Sequence, residues 1–152
     1  LLQRYVEGVP ASVAVLADGT RSLVLAVSAQ RVFGSRSLSY RGGTTPLAHP
    51  LAARAASAAR RVCHAVPGLR GYVGIDMVLT ERDAVVIEVN PRLTTAYLGV
   101  RAAFQANVAG LVLAACAGRL PKQAPVPRRR VRFAATGRIL ATEALGPTIE
   151  SR

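Results

Sequence analysis

Two carboxylates twelve residues apart, Asp76 and Glu88, with the Asn90-Pro91-Arg92 that follows the second, are the residues of this chain best suited to chemistry. They lie in two short runs, residues 71–79 and 84–90, joined by a turn around Glu81-Arg82-Asp83. Strand alternation puts Val73, Ile75, Met77 and Leu79 on one face, and Val85, Ile87 and Val89 on the matching face of the partner, both pointing into a core. The opposite face then carries Gly74, Asp76 and Val78 beside Val86, Glu88 and Asn90. A three-residue turn centred on Arg82 sets Asp76 across from Glu88, with β-carbons about 4.5–5.5 Å apart. A one-residue slip would turn an apolar face to water, so burial keeps both acids on one side. Carboxylates that close repel each other, and a hard divalent cation relieves the repulsion. Asn90 adds a neutral oxygen, and Mg²⁺, held by few carboxylates and completed by phosphate oxygens, suits the set. Arg92, just past the strand end, is placed to meet phosphate or an acyl phosphate. The competing reading, solvated surface acids paired with arginines, is weakened by their scarcity: the chain has only eight acids.

The elements that must hold this pair follow from turn signals and periodicity. Residues 3–6 are an extended lead-in, Gly8-Val9-Pro10 turns the chain, and residues 12–16 and 22–31 are strands about a hairpin at Asp18-Gly19. Residues 35–43 read as irregular or weakly extended chain ending in Gly42-Gly43. An Ala-rich helix is expected over 51–66, with Arg54, Arg60 and Arg61 on its wet side and Pro67-Gly68 as its stop. A single long helix is expected over 96–117, closed by Gly118 and Pro121. Residues 121–130 read as a Pro- and Arg-rich linker and 131–135 as a last strand. Hairpins with two packed helices make an α+β, mainly antiparallel fold. Residues 1–120 form the working lobe, and 121–152 the linker with its strand or tail.

At 152 residues and 51% hydrophobic, the chain supports one ordinary core. Its formal charge of +12 comes almost wholly from arginine, Lys122 being the only lysine, so a polyanionic partner has to be weighed. The arginines are scattered outside Arg128-Arg129-Arg130-Arg132, and no aromatic-rich RNA-binding signature interleaves with them, so nucleic acid is the disfavoured partner. The apolar stretch from Ala102 to Gly118 is broken by Gln105 and Asn107 and is short for a membrane span, so no membrane partner is expected. Cys63 and Cys116 lack the spacing of a zinc site or a disulfide framework. Buried free thiols in a reducing cytoplasm are the expectation for them. His49 and His64 are isolated and receive no catalytic role.

Gly74-Ile75-Asp76-Met77 followed by Glu88-Val89-Asn90-Pro91-Arg92 resembles the paired metal-ligand strands of the ATP-grasp superfamily, including the gap between the acids. The resemblance implies that Asp76, Glu88 and Asn90 bind Mg²⁺, with Mn²⁺ as a substitute, and that Arg92 helps neutralise phosphate. Gln3-Arg4-Tyr5-Val6-Glu7-Gly8 resembles the family's inter-lobe linker. That likeness implies that the Arg4 carbonyl and Val6 N–H pair with adenine, while Glu7 reaches the ribose. Within the superfamily, Tyr40-Arg41-Gly42-Gly43-Thr44-Thr45-Pro46 and the run from Asn90 to Tyr97 look most similar to the tyramine-glutamate ligase group. There Arg41 would hold a substrate carboxylate or phosphate, and the glycine pair would either let backbone approach a ligand or make a plain tight turn.

The implied activity is ATP- and Mg²⁺-dependent joining of a small-molecule carboxylate to an amine. Because the chain opens on Leu1-Leu2-Gln3, the expectation is a fragment lacking an amino-terminal ATP-grasp lobe, inactive without that partner and compatible with a homo-oligomer. The alternative is a non-catalytic basic module that binds nucleic acid or protein through the Arg128 to Arg132 segment.

Overall fold

A computed structural model describes residues 3–34 and 37–146. The chain runs β1 (Val9–Asp18), β2 (Ser22–Phe33), β3 (Ser39–Thr45), α1 (Ala52–Ala65), β4 (Arg70–Leu79), β5 (Ala84–Asn90), α2 (Ala96–Ala103), α3 (Val108–Cys116), β6 (Arg129–Ala134) and β7 (Ile139–Ala144). All seven strands join one antiparallel sheet in the order β5-β4-β1-β2-β3-β6-β7. The α+β, mainly antiparallel expectation is therefore met, with three helices in place of two.

Strands β1 and β4 sit inside the sheet and bury both faces. Val13, Val15, Val73, Ile75, Met77 and Leu79 point to one side, where α1 closes over them with Ala55, Ala58 and Ala59. Methyl-sized side chains on that helix stripe let it approach the sheet closely. Ala14, Leu16 and Tyr72 point to the other side, against Val100, Ala103, Phe104 and Val108 of the α2–α3 region. Beyond the start of α2 that second face is open, and the candidate site lies there.

Residues 131–135 are not the last strand: β6 begins at Arg129, inside the expected linker, and β7 follows it in the same sheet. Four further local expectations are corrected. The single helix over 96–117 is two helices meeting at 116°. Phe104 takes an extended conformation to bury its ring, and the Asn107 side chain caps α3 by accepting from the Gly110 N–H at 2.9 Å. Of the two readings of 35–43 the extended one holds, but the strand does not end at the glycine pair: Ser39–Thr45 is β3, between β2 and β6, while Ser35 and Arg36 fall outside the described residues. The turn between β4 and β5 has four residues, not three: Thr80 N–H donates to the Asp83 carbonyl at 2.9 Å, and Leu79 pairs with Ala84. A bulge then restores the expected partnership of Asp76 with Glu88, so Ile87 stands 37% exposed instead of facing the core, and Val85 and Val86 exchange their expected faces, Val85 pairing with Val78 on the acids' side and Val86 with Met77. Finally, Cys116 is exposed, whereas Cys63 is half-buried and its thiol is pushed up by burial.

The β1–β2 hairpin is held by Asp18. Its carboxylate accepts from the Arg21 N–H at 2.7 Å, the Thr20 N–H at 3.1 Å and the Thr20 hydroxyl at 3.0 Å, and it pairs with the Arg21 guanidinium at 2.9 Å. These donors, the Arg21 backbone first, hold its carboxyl well below the ordinary value of 3.8. A depressed carboxyl contributes stability that is complete above its ordinary value and lost as pH falls toward the folded one. Asp18→Asn should therefore melt below wild type by a constant margin at neutral pH, and the margin should narrow below about pH 4. Thermal melts across pH check this; a margin unchanged in strong acid would contradict it.

Candidate metal and nucleotide site

Cross-strand pairing places the site residues in rows. Asp76 pairs with Glu88 on β5 and with Ser12 on β1, and Ser12 pairs with Ser28 on β2, so the four side chains share the open face. One residue pair along, Gly74 lies opposite Asn90, and a side chain at position 74 would run into the Thr94 methyl. That contact explains glycine between two otherwise apolar neighbours. A concavity of about 330 Å³ lies over this face, lined by Asp76, Glu88, Asn90 and Arg92 together with Ser12, Gln30 and Tyr40. Thr94, Thr95 and Ala96, at the start of α2, form its far wall.

Polar contacts organise the carboxylates. Gln30 Nε2 donates to Asp76 Oδ1 at 3.0 Å, and Asn90 Nδ2 reaches Asp76 Oδ2 at 3.5 Å. Arg92 Nη2 donates to Asn90 Oδ1 at 2.9 Å, which folds the guanidinium back over the strand end. Burial pushes the Asp76 carboxyl up, and the charge of Glu88 adds to the rise, against partial relief from Ser12, Gln30 and Arg92. Tyr40, pushed up to about 12 by burial and by Asp76, keeps its proton and faces the cavity as a neutral donor.

The raised Asp76 carboxyl has a sign that can be tested. Between its ordinary and folded values the native state holds more proton than the unfolded chain, so stability falls as pH rises through that window. Above that window the half-buried carboxylate is a standing cost that an added cation would offset. Asp76→Asn should therefore stabilise the metal-free chain by about 1 kcal/mol, near 3 °C in Tm. Melting in EDTA at pH 7 measures this, and a lowered Tm would show that Asp76 is a stabilising surface acid.

The lead-in residues Gln3 to Glu7 run beside the same hairpin. Arg4, Tyr5, Val6 and Glu7 line a hollow of about 670 Å³ with Thr80 and Val85. Val85 pairs with Val78, so these two residues share the face that carries Asp76 and Glu88 further along the strands. The hollow and the carboxylates are thus separated by an apolar stretch of strand roughly two residues long, about 7 Å. Glu7 also borders a second hollow of about 880 Å³ toward His49 and Leu51.

Gly42 and Gly43 form neither a tight turn nor an approach to a ligand. Gly42 has φ +113° at a bulge, and the pair is crowded by the backbone of β6 and β2. Arg41 is exposed and does not line the 330 Å³ concavity. Ser12, Gln30, Tyr40, Thr94 and Thr95 were missed as site residues by sequence reasoning. The signal for two of them was present: Ser12 on β1, and Gln30 two residues after Ser28 on β2, are polar side chains on otherwise apolar strands, which is where a sheet turns one face to a ligand.

The donor set fits a hard cation. Among the described residues no group of three or more His, Cys, Asp or Glu side chains converges, so two carboxylates and one amide are what this face offers. That is the sparse oxygen set suited to Mg²⁺ completed by phosphate. Comparison with known proteins agrees with the architecture. The sequence matches the ATP-grasp domain family over residues 1–96, and the chain belongs to that family. It is 30% identical over 101 residues to the tyramine–L-glutamate ligase of Methanocaldococcus fervens, a match covering 66% of this chain and 33% of that one. The crystal structure of an ATP-grasp superfamily protein from Archaeoglobus fulgidus superposes with a TM-score of 0.66 at 29% identity, covering 95% of this chain and 48% of the other. The biotin carboxylase domain of a single-chain bacterial carboxylase shares the fold, with a TM-score of 0.70 at 23% identity over 86% of this chain and 33% of that one. The chain spans about a third of the length of the tyramine–glutamate ligase it matches. No single helix among the described residues is long and apolar enough to cross a membrane.

Proposed function

We propose that this chain is the cation- and nucleotide-binding lobe of an ATP- and Mg²⁺-dependent carboxylate–amine ligase, with tyramine–glutamate ligation as the nearest parallel. The observation that carries the reading is the cross-strand pair of Asp76 and Glu88, beside Asn90 and Arg92, at the floor of an open concavity. Asp76, Glu88 and Asn90 hold the cation, Mg²⁺ or Mn²⁺. When bound, the cation neutralises phosphate oxygens and orients the transferred group. Arg92 leaves Asn90 Oδ1 to pair with phosphate, and the freed amide oxygen turns toward the carboxylates.

Backbone groups of Arg4 and Val6 meet the adenine edge, Gln3 and Tyr5 flank it, and Glu7 reaches the ribose. Val78 and Val85 floor the path from there to the carboxylates. The substrate carboxylate takes the γ-phosphoryl group of ATP, leaving ADP, and the amine then attacks the acyl carbon, displacing inorganic phosphate and losing a proton as the amide forms. Every step rests on positioning and charge neutralisation, so no side-chain nucleophile is required. The site lies wholly within residues 1–120, and a second lobe is needed to enclose the nucleotide.

The test is ADP release by the chain extended to the length of its ligase relatives, with glutamate and a panel of amines that includes tyramine, in Mg²⁺ and in EDTA. Release that needs carboxylate, amine and metal together supports the reading. Release indifferent to carboxylate and amine would overturn it.

A further inference from the structure

The chain's arginines are scattered, but its acids are unevenly placed. Glu7, Asp76, Glu81, Asp83 and Glu88 lie on or beside the β4–β5 hairpin, at one end of the sheet. The opposite end carries Arg128, Arg129, Arg130, Arg132 and Arg138 against a single acid, Glu143, among the described residues. Arg21–Asp18 is the only ion pair among the described residues, so this positive end is not neutralised by side-chain pairing within them.

Register fixes how the arginines are displayed. Ala29 pairs with Thr44, Thr44 with Arg132, and Arg132 with Ala141, so the four side chains share one face across β2, β3, β6 and β7. Arg31 and Phe33 on β2 and Arg130 on β6, at even spacing from this row, fall on the same face. It is the face that α1 covers over β1, β2, β4 and β5, and beyond that helix it is open. Arg31 and Arg132 are exposed, and Arg130 is half-buried with its Nε buried and unpartnered. The Arg31 guanidinium sits 6.0 Å from the centre of the Phe33 ring, which is 56% exposed.

We propose that this open face binds a single strand of nucleic acid, its phosphates met by Arg31, Arg130 and Arg132 and one base stacked on Phe33. By register Arg132 lies two strand spacings across and two residues along from Arg31, about 12 Å, and Arg130 about 7 Å further along β6, which makes a diagonal track for a charged backbone. An exposed aromatic ring beside them supplies the planar contact a base needs. An acidic polypeptide would match the charge but would leave Phe33 in water with nothing planar to cover it. Glu143, paired in register with Arg130, is the one carboxylate on this face among the described residues and marks the strand's limit. The inference is independent of the ligase reading, because none of these residues lines the Asp76–Glu88 concavity.

Anisotropy of a fluorescein-labelled twelve-nucleotide oligothymidylate, titrated with this chain between 50 and 200 mM KCl, tests the proposal. Log affinity should fall linearly with log salt, and the Arg130→Ala/Arg132→Ala variant should flatten the slope by about 1.4, two contacts at roughly 0.7 each. Phe33→Ala should weaken binding about tenfold with the slope unchanged. Circular dichroism and melting of each variant separate lost contacts from lost folding. Oligothymidylate binding that ignores Phe33→Ala and is matched by inorganic polyphosphate would reduce the face to a generic polyanion surface and overturn the proposal. Tighter binding of labelled poly-glutamate than of oligothymidylate would assign the face to an acidic protein, with the same consequence.

Discussion

Glu88→Gln is expected to lower turnover of the complete ligase by about a thousandfold or more, whereas Glu7→Gln lowers it less than about tenfold. The asymmetry follows from where the two acids sit. Glu88 faces Asp76 across a strand pair, and the described residues offer no third carboxylate, histidine or cysteine that could take its place. The amide keeps the size of the side chain but removes the charge, so a cation would be left with one anionic ligand. Glu7 stands in an irregular segment on the rim between two hollows, and in the proposed reading it would meet only the nucleotide's sugar. Steady-state rates of both variants measure the difference. Equal losses would contradict this division of roles.

Phe133→Ala is expected to cost about 3–5 kcal/mol, a drop near 10 °C in Tm and a large share of a typical domain's stability. Phe133 is fully buried on β6 and is the largest such side chain among the described residues. Its ring fills the space left by the absent side chains of Gly43 on β3 and Gly99 on α2, so truncation opens a cavity at the meeting of strand and helix. The same contact makes β6 part of the core although a Pro- and Arg-rich segment precedes it in sequence. Chemical denaturation measures the loss. A cost below about 1 kcal/mol would mean that β6 and β7 are peripheral to the fold.

How far the sequence carried depended on which signals were local. The faces of β4 were readable because Val73, Ile75, Met77 and Leu79 alternate without a break, and all four are buried. The pairing of Asp76 with Glu88 was readable for a subtler reason. The turn is one residue longer than expected, and the bulge at Ile87 takes up the extra residue, so the two changes cancel at the acids. Elements fixed by distant partners were not readable. Strand β3, with glycines at 42 and 43, is weak by propensity and exists because β2 and β6 flank it. The break between α2 and α3 was marked only by Gln105 and Asn107, and the burial of Phe104 decides it. Tyr40's place on the concavity's wall could not be seen from the residue itself, since it comes from β3, whose register depends on its neighbours.

The most direct test of the central claim is calorimetric titration of Mg²⁺-ATP into the chain extended to the length of its ligase relatives, as wild type and as Glu88→Gln. The account predicts saturable binding that EDTA and Glu88→Gln both abolish. Binding of equal strength in the variant, or in the absence of divalent cation, would show that Asp76 and Glu88 do not form the metal and nucleotide site.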